Sequence, residues 1–160
     1  MFRLCSCKLI YVIYCKHKIL LQNVRNLKRY KNIHIYVYSM PLPIITEIKS
    51  RDNFLNRVRT NPGLLFIKFG AEWCVPCKQI EQEVLQYFNN MPDNVQCAII
   101  DIDDNFEIYA FLKTKKMVKG IPTILCYRKE NDSYIPDESF SGADKDGLKE
   151  FIDNCLSQLD

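Results

Sequence analysis

Leu64-Leu65-Phe66-Ile67-Lys68-Phe69-Gly70-Ala71-Glu72-Trp73-Cys74-Val75-Pro76-Cys77-Lys78 decides how the rest of the chain is read. Its first six residues form an apolar run of strand length, interrupted only by Lys68. Ile80, Val84, Leu85 and Phe88 then follow at helical spacing, with Gln79, Glu81 and Gln82 between them. Two cysteines separated by two residues at such a strand-to-helix corner read as a dithiol/disulfide redox site. The thiolate is the nucleophile, and an isolated cysteine with a pKa of about 8.5 is mostly protonated at neutral pH. Cys74, at the first turn, faces unpaired backbone N–H groups and the positive end of the helix dipole, which makes it the candidate nucleophile. Pro76 suits the first helical position, where no N–H is required. Cys77, one turn further in, is expected to be the less exposed of the two and to resolve the mixed disulfide. Trp73 supplies apolar contact surface beside them.

The alternation of strand and helix continues on both sides of this corner. Residues 44–48 are a short strand candidate, and Ser50 or Asp52 can cap a helix carrying Phe54, Leu55 and Val58. Asn61-Pro62-Gly63 is a turn into the strand 64–69. A further strand is expected over 95–102, a helix over 105–116 with Ile108, Phe111 and Leu112 inward, and a strand over 123–127. The polar stretch 128–138 reads as a hairpin loop leading to a last strand near 139–141. Asp144 then caps a final helix with Leu148, Phe151, Ile152 and Cys155 on one face. This order gives an α/β domain around a mixed sheet.

The chain has 160 residues, 48% of them hydrophobic, which suits one core domain and an appendage. No apolar run approaches the roughly 18 residues of a spanning helix, so no transmembrane segment is expected. The net charge of +3 is unevenly spread: residues 1–39 hold eight Lys or Arg and no Asp or Glu. The remainder is acidic, so the global charge describes neither part and carries no nucleic-acid inference; no nucleic-acid partner is expected. Residues 1–39 are read as a basic N-terminal extension and 44–159 as the folded domain; alternatively, Met40 is the true start. A secretory signal is disfavoured because Lys8 and Lys16 flank the apolar stretch 9–15 and no small-residue cleavage site follows. Cys5, Cys7, Cys15 and His17 could be imagined as a zinc site, and the first two as acylation sites, but they lack the paired spacing of zinc modules. Cys97, Cys126 and Cys155 stand singly in apolar runs, where a thiol acts as a small hydrophobe. Of the eight cysteines only Cys74 and Cys77 are placed for chemistry, and a reducing compartment fits that usage.

Residues 69–78, Phe-Gly-Ala-Glu-Trp-Cys-Val-Pro-Cys-Lys, resemble the active-site segment of the thioredoxin family. Val118-Lys119-Gly120-Ile121-Pro122-Thr123 resembles the family's loop whose proline has a cis peptide bond facing the dithiol. Gly142-Ala143-Asp144, leading into Leu148-Lys149-Glu150-Phe151, resembles the glycine and final helix that complete the substrate groove, and Ile102-Asp103-Asp104-Asn105 resembles the turn after the preceding strand. These matches run in order across roughly 44–159. The resemblance implies the thioredoxin fold, a central mixed β-sheet flanked by helices on both faces. It assigns roles to Trp73, Cys74, Pro76, Cys77, Pro122 and Gly142. A cis bond is tolerated essentially only before proline. At Pro122 it would turn the backbone of Ile121 towards Cys74, offering hydrogen bonds to an extended peptide, and proline there keeps a competing metal ligand from the thiolate.

Two residues depart from the family. Lys68 stands where a buried aspartate is usual beneath the resolving cysteine. Its ammonium would favour thiolate and a more oxidising couple, or its long stem reaches water and changes little. Val75 occupies a position usually held by glycine; a β-branched residue stiffens the loop and alters what contacts Cys74. The segments 113–117 and 128–138 are longer than is usual in the family. The expected function is protein thiol–disulfide oxidoreduction, reducing protein disulfides, with no metal and no organic cofactor. The alternatives are a disulfide-forming or isomerising enzyme of a non-cytosolic compartment, or a binding module on the same fold. The implied partners are disulfide-containing proteins and an upstream dithiol reductase resembling thioredoxin reductase. The implied state is a cytoplasmic monomer, or an organelle-targeted one if residues 1–39 act as a targeting segment.

Overall fold

The computed structural model describes residues 40–159, so the expectations for residues 1–39, including the zinc and acylation readings of Cys5, Cys7, Cys15 and His17, lie outside the described residues. Helix α1 (Arg51–Arg59) opens with Ser50, whose hydroxyl accepts the N–H of Asn53, and buries Phe54 and Val58. Strand β1 (Leu64–Gly70) is buried at every residue and runs straight into helix α2 (Val75–Gln79). Helix α3 (Glu81–Phe88) follows, then β2 (Val95–Asp101), α4 (Phe106–Thr114), β3 (Thr123–Arg128), β4 (Glu138–Ser141) and α5 (Lys145–Leu156).

The sheet order is β2-β1-β3-β4, with β1 parallel to β2 and antiparallel to β3, and β4 antiparallel to β3. Because successive strand residues face opposite ways, β1 feeds two cores. Leu65, Ile67 and Phe69 pack with Phe54 and Val58 of α1 and with Ile108 and Leu112 of α4. Leu64 and Phe66 pack with Ile80, Val84 and Phe88, and with Leu148, Ile152 and Cys155 of α5. Full burial of each such side chain contributes about 1.5–3 kcal/mol. The expected mixed sheet with helices on both faces is the observed architecture.

Three local expectations need correction. Residues 44–48 form no strand: Ile45 makes one parallel bridge to Ala98, exchanging backbone bonds with Cys97 and Ile99. Pro43 has no N–H to extend the pairing, and the N–H of Ile48 is taken by the buried side chain of Asn105 at 2.9 Å. The helix after the dithiol is two helices, broken at Ile80, whose φ and ψ of -109° and 1° leave the helical range. Leu85 faces solvent, because Ile80, Val84 and Phe88 already fill the stripe towards the sheet. The segment 128–138 is the hairpin loop expected: Arg128 N–H and Asn131 both donate to Asp137, and the Tyr127 hydroxyl donates to the carbonyl of Tyr134.

Asn105 also donates to the carbonyl of Asp101, so one buried amide ties the entry segment to the end of β2. Asn105→Ala should cost about 1–3 kcal/mol in urea unfolding by orphaning the Ile48 N–H. Leu85→Ala should cost about 0.5 kcal/mol or less.

Candidate active site

The corner between β1 and α2 carries the dithiol. The Ala71 carbonyl accepts the N–H of Cys74, fixing the turn, and Cys74 then caps α2 with extended backbone angles. Its sulfur accepts the N–H of Cys77 at 3.2 Å. Val75 opens α2 and Pro76 follows, so proline sits at the second helical position rather than the first, still among the residues whose N–H has no helical acceptor. Cys74 and Cys77 are joined by a disulfide, with Cα atoms 5.2 Å apart. Both are 4% exposed, so the expected difference in exposure is absent in this bonded state: the bond holds the two sulfurs at one depth.

Two exposed apolar side chains flank this buried pair, with the charged Glu72 and Lys78 beside them. Trp73 and Val75 are 64% and 66% exposed, and the indole N–H of Trp73 donates to a carboxylate oxygen of Asp103 at 2.7 Å. Asp103 is itself fixed, its N–H donating to the side chain of Asp101 at the end of β2. The Ile121–Pro122 peptide is cis, Pro122 is buried, and Ile121 packs half-buried against the core cluster that contains Cys74 and Cys77. Gly142 donates its N–H to the Pro122 carbonyl at 3.0 Å. Its φ of 111° is a conformation that residues with a Cβ rarely adopt. Pro122 and Gly142, twenty residues apart in sequence, are therefore neighbours, as β3–β4 pairing of Thr123 with Ser141 requires.

Lys68 is 5% exposed and lines a cavity of about 390 Å³ with Gly70, Cys77, Glu81, Ile99 and Asp101. Gly70 sits two residues on, on the same sheet face. A Cβ added there would stand 3.5 Å from the Cys77 sulfur and 3.7 Å from Lys68 Cε, so both side chains close over one bare Cα. Burial pushes the Lys68 pKa down, and the Glu81 carboxylate works against that shift. Among the described residues Lys68 makes no ion pair or hydrogen bond, and its Nζ is not fully buried, so the ammonium keeps some access to solvent.

The remaining described cysteines are of another kind. Cys97, Cys126 and Cys155 are free and buried. Burial pushes the Cys97 thiol up to about 12, and a hydrogen bond with Cys155, then burial, raises Cys126. Two neighbours of the site had no role assigned from the sequence: Asp103, read only as part of a turn, and Glu81. Glu81 stands four residues after Cys77, a same-face helical spacing that could have flagged it. Asp103 is an acid just past a strand end parallel to the one that delivers Trp73.

A bonded Cys-x-x-Cys at a strand-to-helix corner, with a cis proline leading into β3 of a four-stranded mixed sheet, defines a dithiol/disulfide exchange protein. The Thioredoxin family model matches residues 45–154, and the chain belongs to the thioredoxin family. At family level it is a thiol–disulfide oxidoreductase. Thioredoxin 3 of Plasmodium falciparum (isolate 3D7) is 30% identical over 118 residues, 72% of this chain but 62% of that protein's own length. Thioredoxin of Bacillus subtilis (strain 168) is 28% identical over 109 residues, 68% of this chain and 97% of that protein. Among solved structures, Trichomonas vaginalis thioredoxin is 28% identical with a TM-score of 0.56, covering 70% of this chain and 96% of its own. Thioredoxin from Trypanosoma brucei brucei shares the fold at a TM-score of 0.58 and 24% identity, over 78% of this chain and 100% of its own. Among the described residues no helix is long and apolar enough to cross a membrane.

Burial costs the Lys68 ammonium part of its hydration, so Lys68→Met should stabilise the oxidised protein at neutral pH by about 1 kcal/mol or less after solvent screening is allowed for. The folded-state pKa of Lys68 lies below its ordinary 10.5, so the wild-type handicap is full below that folded value. It fades as pH rises through the folded value towards 10.5, because the unfolded chain then binds the extra proton. Urea unfolding of both proteins at neutral and strongly alkaline pH checks this: the gap should narrow on the alkaline side.

Proposed function

We propose that this chain reduces protein disulfides, with Cys74 as nucleophile and Cys77 as resolving cysteine. The observation that carries the reading is the Cys77 N–H aimed at the Cys74 sulfur, beside an exposed apolar surface. A hydrogen bond to sulfur favours its thiolate, and thiolate is the attacking species. In the reduced protein the Cys74 thiolate attacks one sulfur of a substrate disulfide. A Cys74–substrate bond forms, and the other substrate sulfur leaves as thiolate. The Cys77 thiolate then attacks the Cys74 sulfur, forming the Cys74–Cys77 bond and releasing the second substrate thiolate. Two electrons pass to the substrate, and an upstream dithiol reductase of the thioredoxin reductase kind restores the pair.

Trp73 and Val75 supply the apolar surface on which the substrate chain rests, with Trp73 held in place by Asp103. Pro76 starts the helix, and Ile121, Pro122 and Gly142 form the opposite wall of the groove. The reaction needs no metal and no organic cofactor, and the chain works as a monomer in the cytoplasm. One observation favours a second reading, disulfide formation or isomerisation: a buried lysine beneath the dithiol stabilises thiolate, and hence the reduced form.

Cys77→Ser removes the resolving sulfur. Incubated with a disulfide-bonded model protein, it should accumulate a covalent adduct on Cys74, detectable by mass spectrometry and released by added thiol. The Cys74→Ser/Cys77→Ser chain should give none. Absence of any adduct on Cys77→Ser, with the model protein's disulfide intact, would overturn the assignment.

A further inference from the structure

Lys68 has an unusual setting. It is the single charged residue of β1, its partners in register are Ile99 on β2 and Ile124 on β3, and neither offers a counter-charge. Its stem and the Cys77 sulfur meet over Gly70, where the absent Cβ leaves them a common cavity. We propose that Lys68 is a positioning residue for Cys77: its ammonium, lodged beneath the dithiol, holds the resolving sulfur as thiolate in the reduced protein and in the mixed disulfide. This rests on the roles given above to the two cysteines.

The charges around Cys77 have different weights. Lys78 on α2, Glu81 on α3 and Glu72 in the turn before α2 are exposed, and Asp101 closes β2 half-buried. Exposed charges act through water and salt, whereas a buried one is screened much less. Glu81, Glu72 and Asp101 oppose a thiolate, and Lys68 is the buried charge that favours it. Burial of Lys68 lowers its proton affinity, but the Glu81 carboxylate counters that loss.

The step balances without a further reagent. The Cys77 proton has gone to solvent before Cys74 is bonded to a substrate sulfur, and Lys68 keeps its own. The Cys77 thiolate forms a bond to the Cys74 sulfur, the Cys74–substrate bond breaks, and the departing substrate thiolate takes a proton from water. Oxidation consumes the thiolate that the ammonium stabilises, so Lys68 favours the dithiol state and moves the couple to the oxidising side. The desolvated cation that burdens the oxidised protein thus finds its anion on reduction.

The test reads Cys77 directly. In the full chain carrying Cys74→Ser, far-ultraviolet thiolate absorbance is titrated with pH, and the Cys74→Ser/Cys77→Ser chain is subtracted as background. Adding Lys68→Met should raise the Cys77 midpoint by about one pH unit, a tenfold loss of thiolate at a given pH below it. Lys68→Arg should keep the midpoint near that of the parent. Glu81→Gln should lower it, and Lys78→Met, at an exposed site, should move it least. A lysine acting only through packing would let Lys68→Met leave the midpoint in place, or would shift it equally with Lys68→Arg; either result overturns the proposal. The titration needs no exchange activity. Its failure alongside a trapped Cys74 adduct would reject Lys68 alone, and a missing adduct would reject the exchange reading itself.

Discussion

The turn at which β1 gives way to α2 is the constraint on which the site depends. Cys74 has to leave the strand, cap the helix and still present its sulfur to the N–H of Cys77, and the Ala71 carbonyl that accepts its N–H fixes that path. β1 delivers the turn because it is the inner strand between β2 and β3, buried at every residue and packed on both faces. A strand so thoroughly surrounded has no freedom to slip, since a one-residue shift would exchange its two cores. The position of the dithiol follows from the burial of Leu64 to Phe69.

The same burial creates the tension at Lys68. A strand with no exposed residue has no cheap place for a charge. The side chain passes over Gly70 and lines a cavity with Cys77. In the oxidised protein Lys68 has no carboxylate within ion-pair distance among the described residues, and on the proposed role the reduced protein gives it a thiolate beside it. On the role proposed for Lys68, stability and redox chemistry are coupled through one lysine. A methionine at position 68 would relieve the first and weaken the second.

Signals confined to a few residues were the legible ones. The Cys-x-x-Cys corner and the caps Ser50 and Asp144 were each read from neighbours in sequence; the cis bond at Pro122 came from the family resemblance, and the positive φ of Gly142 was not foreseen. Misreadings arose where a distant partner decides. Residues 44–48 have a strand's composition, yet a side chain from Asn105 takes the Ile48 N–H that a ladder would use. Leu85 fits the helical pattern but lies beside a stripe that was already complete. Lys68 was legible as an anomaly, and its two possible behaviours stayed open. The cavity it shares with Cys77 is the structural ground for the proposed electrostatic role, and periodicity carries no information about a cavity.

The central claim is that two electrons reside in one bond, Cys74–Cys77, while the buried thiols of the domain stay out of exchange. The most direct measurement equilibrates the full chain in graded thiol/disulfide buffers, blocks free thiols at each point, and maps every cysteine by mass spectrometry. The account predicts a single two-electron transition in which Cys74 and Cys77 change together, with Cys97, Cys126 and Cys155 reduced throughout. A domain with no such transition, or one whose transition falls on the buried cysteines instead, would contradict it.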